Sequence, residues 1–147
     1  MSYKQVIVAV DLTEEADTVL REAIQVAQDH GAKLTVLSVV KPLTQVYGGL
    51  DMAAYSQVIV NFEQEAQTQA LTQLQEIAER MDIQASQVEV AVGAPSSKIV
   101  DVDNDQNADL IVIGSHGKHG LGLLLGSTAN GVLHHAQCDV LTVRIRS

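Results

Sequence analysis

The stretch Asp109-Leu110-Ile111-Val112-Ile113-Gly114-Ser115-His116-Gly117-Lys118-His119-Gly120-Leu121-Gly122-Leu123-Leu124-Leu125-Gly126-Ser127-Thr128 opens on an apolar run, passes through glycine and ends on two hydroxyl residues. Leu110–Ile113 is too short for a helix and rich in β-branched residues. Such a run suits a strand covered on both faces, as in a parallel sheet. Runs of the same kind recur at Val6–Val10, Leu34–Val40, Val88–Val92 and Val140–Ile145.

Helical patterns fill the intervals. Ala16, Val19, Leu20, Ala23, Ile24 and Ala27 follow the i, i+3, i+4, i+7 rule. Thr13 is a candidate cap for that helix, Glu14 and Glu15 suit its first turn, and Gly31 suits its end. Ile59, Phe62, Ala66, Ala70, Leu74, Ile77 and Met81 form a second, longer stripe. A third helix opens at Pro95, carries Ile99 and Val100, and dissolves into Asp103-Asn104-Asp105-Gln106-Asn107. A fourth runs from Ser127 to about His135. The order β-α-β-α-β-α-β-α-β predicts an α/β fold, an open parallel sheet with helices on both faces and right-handed crossovers.

Composition sets bounds on this reading. A chain of 147 residues fits one domain, 1–147, and 46% hydrophobic residues suffice for an unstapled core. Nine Lys+Arg against 18 Asp+Glu give a net charge of −9, which argues against a nucleic-acid partner or a basic membrane-binding face. The single cysteine, Cys138, permits neither an internal disulfide nor a cysteine-based zinc cluster. The longest purely apolar runs are five residues, such as Val6–Val10, so no bilayer-spanning helix is expected. The opening residues carry no secretory signal pattern. A soluble, cytoplasmic protein of a reducing compartment is expected.

The glycine-rich segment is where chemistry is expected. Gly114, Gly117, Gly120, Gly122 and Gly126 are five of the ten glycines. Glycine lets backbone N–H groups turn toward an anion, and a helix start adds unpaired N–H groups. Ser127 and Thr128 add hydroxyl donors, and Lys118 is the only Lys or Arg between Asp101 and Gln137. The segment reads as a phosphate cradle or as a glycine-rich turn. It spells neither a Walker A loop, because His119 follows Gly117-Lys118, nor the dinucleotide fingerprint. Lys41–Tyr55, with Pro42, Gly48 and Gly49, reads as a surface connection or a loop covering a ligand.

Taken together, Val6-Ile7-Val8-Ala9-Val10-Asp11, Leu34–Val40, Asp109–Gly117, Gly126-Ser127-Thr128 and Cys138–Val143 resemble the universal stress protein family. The likeness is to its short single-domain bacterial members and covers essentially the whole chain. It implies a five-stranded sheet in order 3-2-1-4-5 and a homodimer through the last strand, with Val140, Leu141, Thr142, Val143 and Ile145 at the interface. In nucleotide-binding members it implies ATP or AMP between the first and fourth strands. Carried over by position, Ala9 and Asp11 lie near the nucleotide, and Asp11 can help hold a magnesium ion. Val39 and Ile113 contact the base, while Gly114, Gly117, Gly126, Ser127 and Thr128 serve phosphate and ribose. The ATP-binding branch writes its loop G-x2-G-x9-G-S/T. Here eight residues, Lys118–Leu125, separate the second and third glycines, and Ala9 stands where many members have proline.

The remaining features have plainer readings. Asp101-x-Asp103-x-Asp105-x-Asn107 lacks the glycine and glutamate of a calcium loop and reads as a solvated helix end. His116 and His119 read as loop donors, His134 and His135 as cations at a helix C-terminus, and Cys138 as a small buried hydrophobe. No nucleophile elbow is present, and no arginine or water-activating base marks the loop, so at most a slow ATPase is expected. Two function classes stay open. One is a dimeric stress-response module that binds an adenine nucleotide. The other is a stress-response dimer without nucleotide, acting through unknown protein partners.

Overall fold

The computed structural model describes residues 2–13, 15–41, 52–83, 87–115 and 126–145, and of 52–56 the backbone alone. Strands and helices alternate as β1 (Gln5–Ala9), α1 (Ala16–His30), β2 (Lys33–Val40), α2 (Met52–Arg80), β3 (Val88–Val92), α3 (Pro95–Gln106), β4 (Leu110–Gly114), α4 (Ser127–His135) and β5 (Asp139–Val143). The strands form one parallel sheet in the order β3-β2-β1-β4-β5. This is the α/β architecture that the alternation and the family likeness predict.

Strand alternation divides the core. Val6, Val8, Leu34, Val36, Leu110 and Val112 point to one face, where α1 covers them with Val19, Leu20 and Ala23 and α2 with Leu74 and Ala78. Ile7, Leu37, Ile111 and Ile113 point to the other, against Ile99 and Val102 of α3 and Ala129 and Val132 of α4. Gly31 ends α1 in the left-handed conformation (φ 64°), which glycine adopts without Cβ strain. An exposed ion pair, Arg80 Nη2 to Asp17 Oδ1 at 2.6 Å, joins the last turn of α2 to the first of α1. Pairs of this kind contribute about 0.2–1 kcal/mol, so burial rather than charge holds the helices down.

Local features differ from the sequence reading. Thr13 does not cap α1, since its hydroxyl donates to Asp11 Oδ1 at 2.7 Å and the helix start has no side-chain cap. The second helix begins at Met52, inside the stretch expected to be irregular. Its 29 residues outrun the sheet, because a helix of that length spans about 43 Å and a five-residue strand about 17 Å. Ala70, Leu74 and Ala78 are buried, whereas Phe62, expected in the core stripe, is 58% exposed, in company with Val58 and Val60. The third helix does not dissolve at Asp103 but runs to Gln106. Positions 99, 102, 103 and 106 share the face turned to the sheet. Gln106 Oε1 there accepts from Gln5 Nε2 (3.1 Å) and from the Thr35 hydroxyl (3.0 Å).

Asp103 is therefore no solvated helix end. It is 3% exposed, and its Oδ2 has no hydrogen-bond partner among the described residues. Cys138, half-buried before β5, donates its thiol to the Asp139 carbonyl at 3.4 Å. Burial first, and then the Asp103 carboxylate, pushes the Cys138 thiol from 9.0 up to about 12. Both effects disfavour the thiolate. The unfolded chain loses this proton near 9 and the folded chain near 12. The thiol's contribution to stability is therefore complete below pH 9 and is lost as pH rises toward 12. Native Cys138 should react slowly with iodoacetamide at pH 8, much faster in denaturant, and faster in Asp103→Asn than in the unmodified chain. Equal rates in native and denatured protein would contradict this account.

Candidate functional site

A parallel sheet opens a crevice where successive crossovers leave in opposite directions. Here that point lies between β1 and β4, since the chain leaves β1 toward β2 and later returns to β4 on the other side. At the C-terminal ends of these strands lies a crevice of about 370 Å³. That volume is at the small-molecule end of the range for ligand sites.

Its floor and walls come from elements far apart in sequence. Ala9, Val10 and Asp11 enter from the end of β1, and Leu37 and Val39 from β2. Ile113 and Gly114 enter from β4, and Gly126, Ser127, Thr128 and Ala129 from the start of α4. Eight predicted residues thus meet around one cavity: Ala9, Asp11, Val39, Ile113, Gly114, Gly126, Ser127 and Thr128. Gly117 and Lys118 lie outside the described residues, as do His116 and His119.

Polar groups concentrate at the α4 end. Gly126 occupies the cap position in an extended conformation (φ −64°, ψ 158°), and no side chain among the described residues caps the helix. Ser127 is accordingly the first helical residue rather than the cap. The first helical bond runs from Asn130 N–H to the Gly126 carbonyl at 2.9 Å. The N–H groups of Ser127, Thr128 and Ala129 precede it and have no intrahelical acceptor. Gly126 N–H donates to the Ser115 carbonyl at 2.5 Å, which fastens the two ends of the 116–125 connection together. Ser115 Oγ is buried there without a partner among the described residues. Across the crevice Asp11 is exposed, with Oδ1 engaged by Thr13.

The other nine lining residues lie outside the nucleotide site expected from the sequence, among them Lys41, Pro95, Ile99 and Ile145. Lys41 continues the Leu37, Val39 alternation one step past the end of β2, which is the signal that could have found it. Pro95 and Ile99 reach the site only through the packing of α3, which no local pattern reveals. Ile145 was expected on the free edge of the last strand. β5 ends at Val143, and Ile145 turns inward, 8% exposed, against the crevice.

Gly114 is bound up with that turn. A Cβ placed there would lie 2.6 Å from Ile145 Cδ1 and 3.4 Å from Val19 Cγ2. Glycine therefore admits Ile145 to the crevice wall, in addition to any role toward a ligand. Gly114→Ala should displace Ile145 and cost about 1 kcal/mol in chemical denaturation, within the lower range for overpacking. Gly114→Ala combined with Ile145→Val should recover part of that loss. No recovery in the double variant would refute the contact as the cause.

Residues 2–144 match the universal stress protein family. The chain is 38% identical over 146 residues to universal stress protein A homolog 2 of Coxiella burnetii, covering 99% of this chain and 97% of the relative. It is 36% identical over 143 residues to homolog 1 of the same organism, covering 97% of each. Among solved structures it resembles universal stress protein UspA from Lactobacillus plantarum, with a TM-score of 0.71 and 27% identity, covering 99% of both chains. It also resembles a universal stress protein solved in complex with cAMP, with a TM-score of 0.66 and 26% identity, covering 99% of this chain and 100% of that one. The chain belongs to the universal stress protein family, whose members are generally stress-response proteins rather than dedicated enzymes. Among the described residues no helix is long and apolar enough to cross a membrane.

Proposed function

We propose that the protein is a stress-response module that binds an adenine nucleotide, ATP or AMP, in the β1/β4 crevice. One observation carries this reading: an apolar crevice that closes on the uncapped start of α4. The base lies against Val39 and Ile113, which offer it an apolar slot. The phosphates meet the free N–H groups and hydroxyls of Ser127 and Thr128, where the helix dipole also favours an anion. Gly114 and Gly117 complete the cradle, and Lys118 supplies counter-charge. Asp11, on the opposite wall, would help hold a magnesium ion that accompanies the nucleotide. The resemblance to a family member solved with cAMP supports an adenine nucleotide as the ligand class.

The nucleotide that co-purifies with the protein should be identifiable by mass spectrometry. Calorimetry should detect ATP, ADP or AMP with magnesium present. Ser127→Ala should weaken binding about tenfold, the loss expected for one hydrogen bond to a charged group. Gly126→Val should weaken it further by blocking backbone approach. Absence of binding at millimolar nucleotide would end this proposal.

The second part of the proposal is a homodimer through β5. Among the described residues β5 pairs with β4 alone and stands at the edge of the sheet, an open template for another strand. Leu141 is 36% exposed. Val143 and Ile145 are buried within the chain, which leaves Val140, Leu141 and Thr142 for the contact. The Val143 carbonyl accepts from Ser115 N–H at 2.8 Å, so the backbone of Val143 faces β4 and that of Thr142 faces the free edge. Antiparallel pairing with a second copy about a two-fold axis satisfies those groups and closes the assembly. Thr142→Pro removes a free-edge donor without cutting the β4 ladder, and should convert a dimer to monomer in light scattering. A monomer in the unmodified protein at micromolar concentration would exclude this interface.

A further inference from the structure

We infer that Lys41 makes the crevice selective for adenine nucleotides that carry a second anionic group on the sugar, such as adenosine 3′,5′-bisphosphate, over those phosphorylated at the 5′ position alone. This rests on the nucleotide reading above and names the substrate class of the same site. Asp11 and Lys41 are the only ionisable side chains lining the crevice among the described residues. Lys41 is exposed and makes no ion pair within that set, so its charge is available to a ligand.

Position separates Lys41 from the phosphate end. It follows β2, whereas the free N–H groups of α4 follow β4, and β1 lies between the two strands. At about 4.8 Å per strand spacing, the two positive poles are roughly 10 Å apart at backbone level. A 5′-phosphate seated on α4 leaves Lys41 facing the base and sugar. The ammonium has three donors and no acceptor, and on adenine the amino group is itself a donor while the ring nitrogens are uncharged acceptors. A phosphate on the sugar suits Lys41 better, because it presents charged acceptors. A second cation flanks the same wall. The Lys98 side chain lies across Gly93, where a Cβ would fall 2.6 Å from Lys98 Cε, and Gly93 N–H donates to the Val40 carbonyl at 3.0 Å. In a protein of net charge −9, this gathers positive charge beside the β2 side of the crevice.

The test is calorimetry on the full chain at low ionic strength with two probes, AMP and adenosine 3′,5′-bisphosphate. The unmodified protein should prefer the bisphosphate by about fivefold, the upper end for an exposed charge pair, and the preference should shrink as salt is added. Lys41→Gln should bring the ratio close to one, and Lys41→Arg should restore most of it. Equal affinities in the unmodified protein, or a preference that survives Lys41→Gln, overturn this inference and leave the nucleotide reading standing. Failure of both probes to bind overturns both.

Discussion

β1 pairs on both sides, with β2 through Gln5–Ala9 and with β4 through Val6–Ala9, and its central residues Val6, Ile7 and Val8 expose no surface. A parallel strand in that position must be covered above and below, because neither face can be left to water without exposing aliphatic side chains. The coverage is supplied by the crossovers themselves. α1 and α2 take the face of Val6 and Val8, and α3 and α4 take the face of Ile7. Scarce aromatics are compatible with this design: Val, Ile, Leu and Ala fill the thin layers between sheet and helices.

The crevice is a by-product of the same arrangement. The crossover that leaves β1 runs toward β2 and the one that leaves β4 runs toward β5, so the two diverge and leave a gap above the ends of β1 and β4. What turns that gap into a site is the way it is lined. Gly114 has no side chain, and Ile145 moves into the room that leaves, closing the bottom with an apolar group. Among the described residues α4 begins at the rim without a side-chain cap, and its first N–H groups have no intrahelical acceptor. Apolar closure below and backbone donors at the rim are complementary to a flat heterocycle joined to an anion.

The strands and the strand-to-helix glycine segment were legible because their signals are local. Short β-branched runs have few other destinations, and Gly126-Ser127 stands just before a helical pattern that runs to His135. What escaped depends on tertiary neighbours. Asp103 reads as one of several acids at a helix end, yet the i+4 relation to Ile99 turns it toward the sheet. Phe62 has helical spacing with Ala66 and Ala70 but lies above the height the sheet can cover. Ile145 continues an apolar run without continuing the strand. Lys41, beside Pro42, reads locally as surface, and only the period-2 relation to Val39 points it to the crevice.

The charge balance explains why the site is built this way. A chain with 18 acidic and nine basic residues repels an anion on average, so attraction must be local. Fixed backbone dipoles serve that end well: they do not titrate, and they are held in place by the helix they begin. A lysine at the rim acts differently. Its charge reaches farther into solvent but is screened within about 10 Å at moderate salt. In the proposed nucleotide reading, the N–H groups of α4 therefore set whether a phosphate binds, and Lys41, on the opposite side of β1, sets which of the phosphorylated ligands binds best.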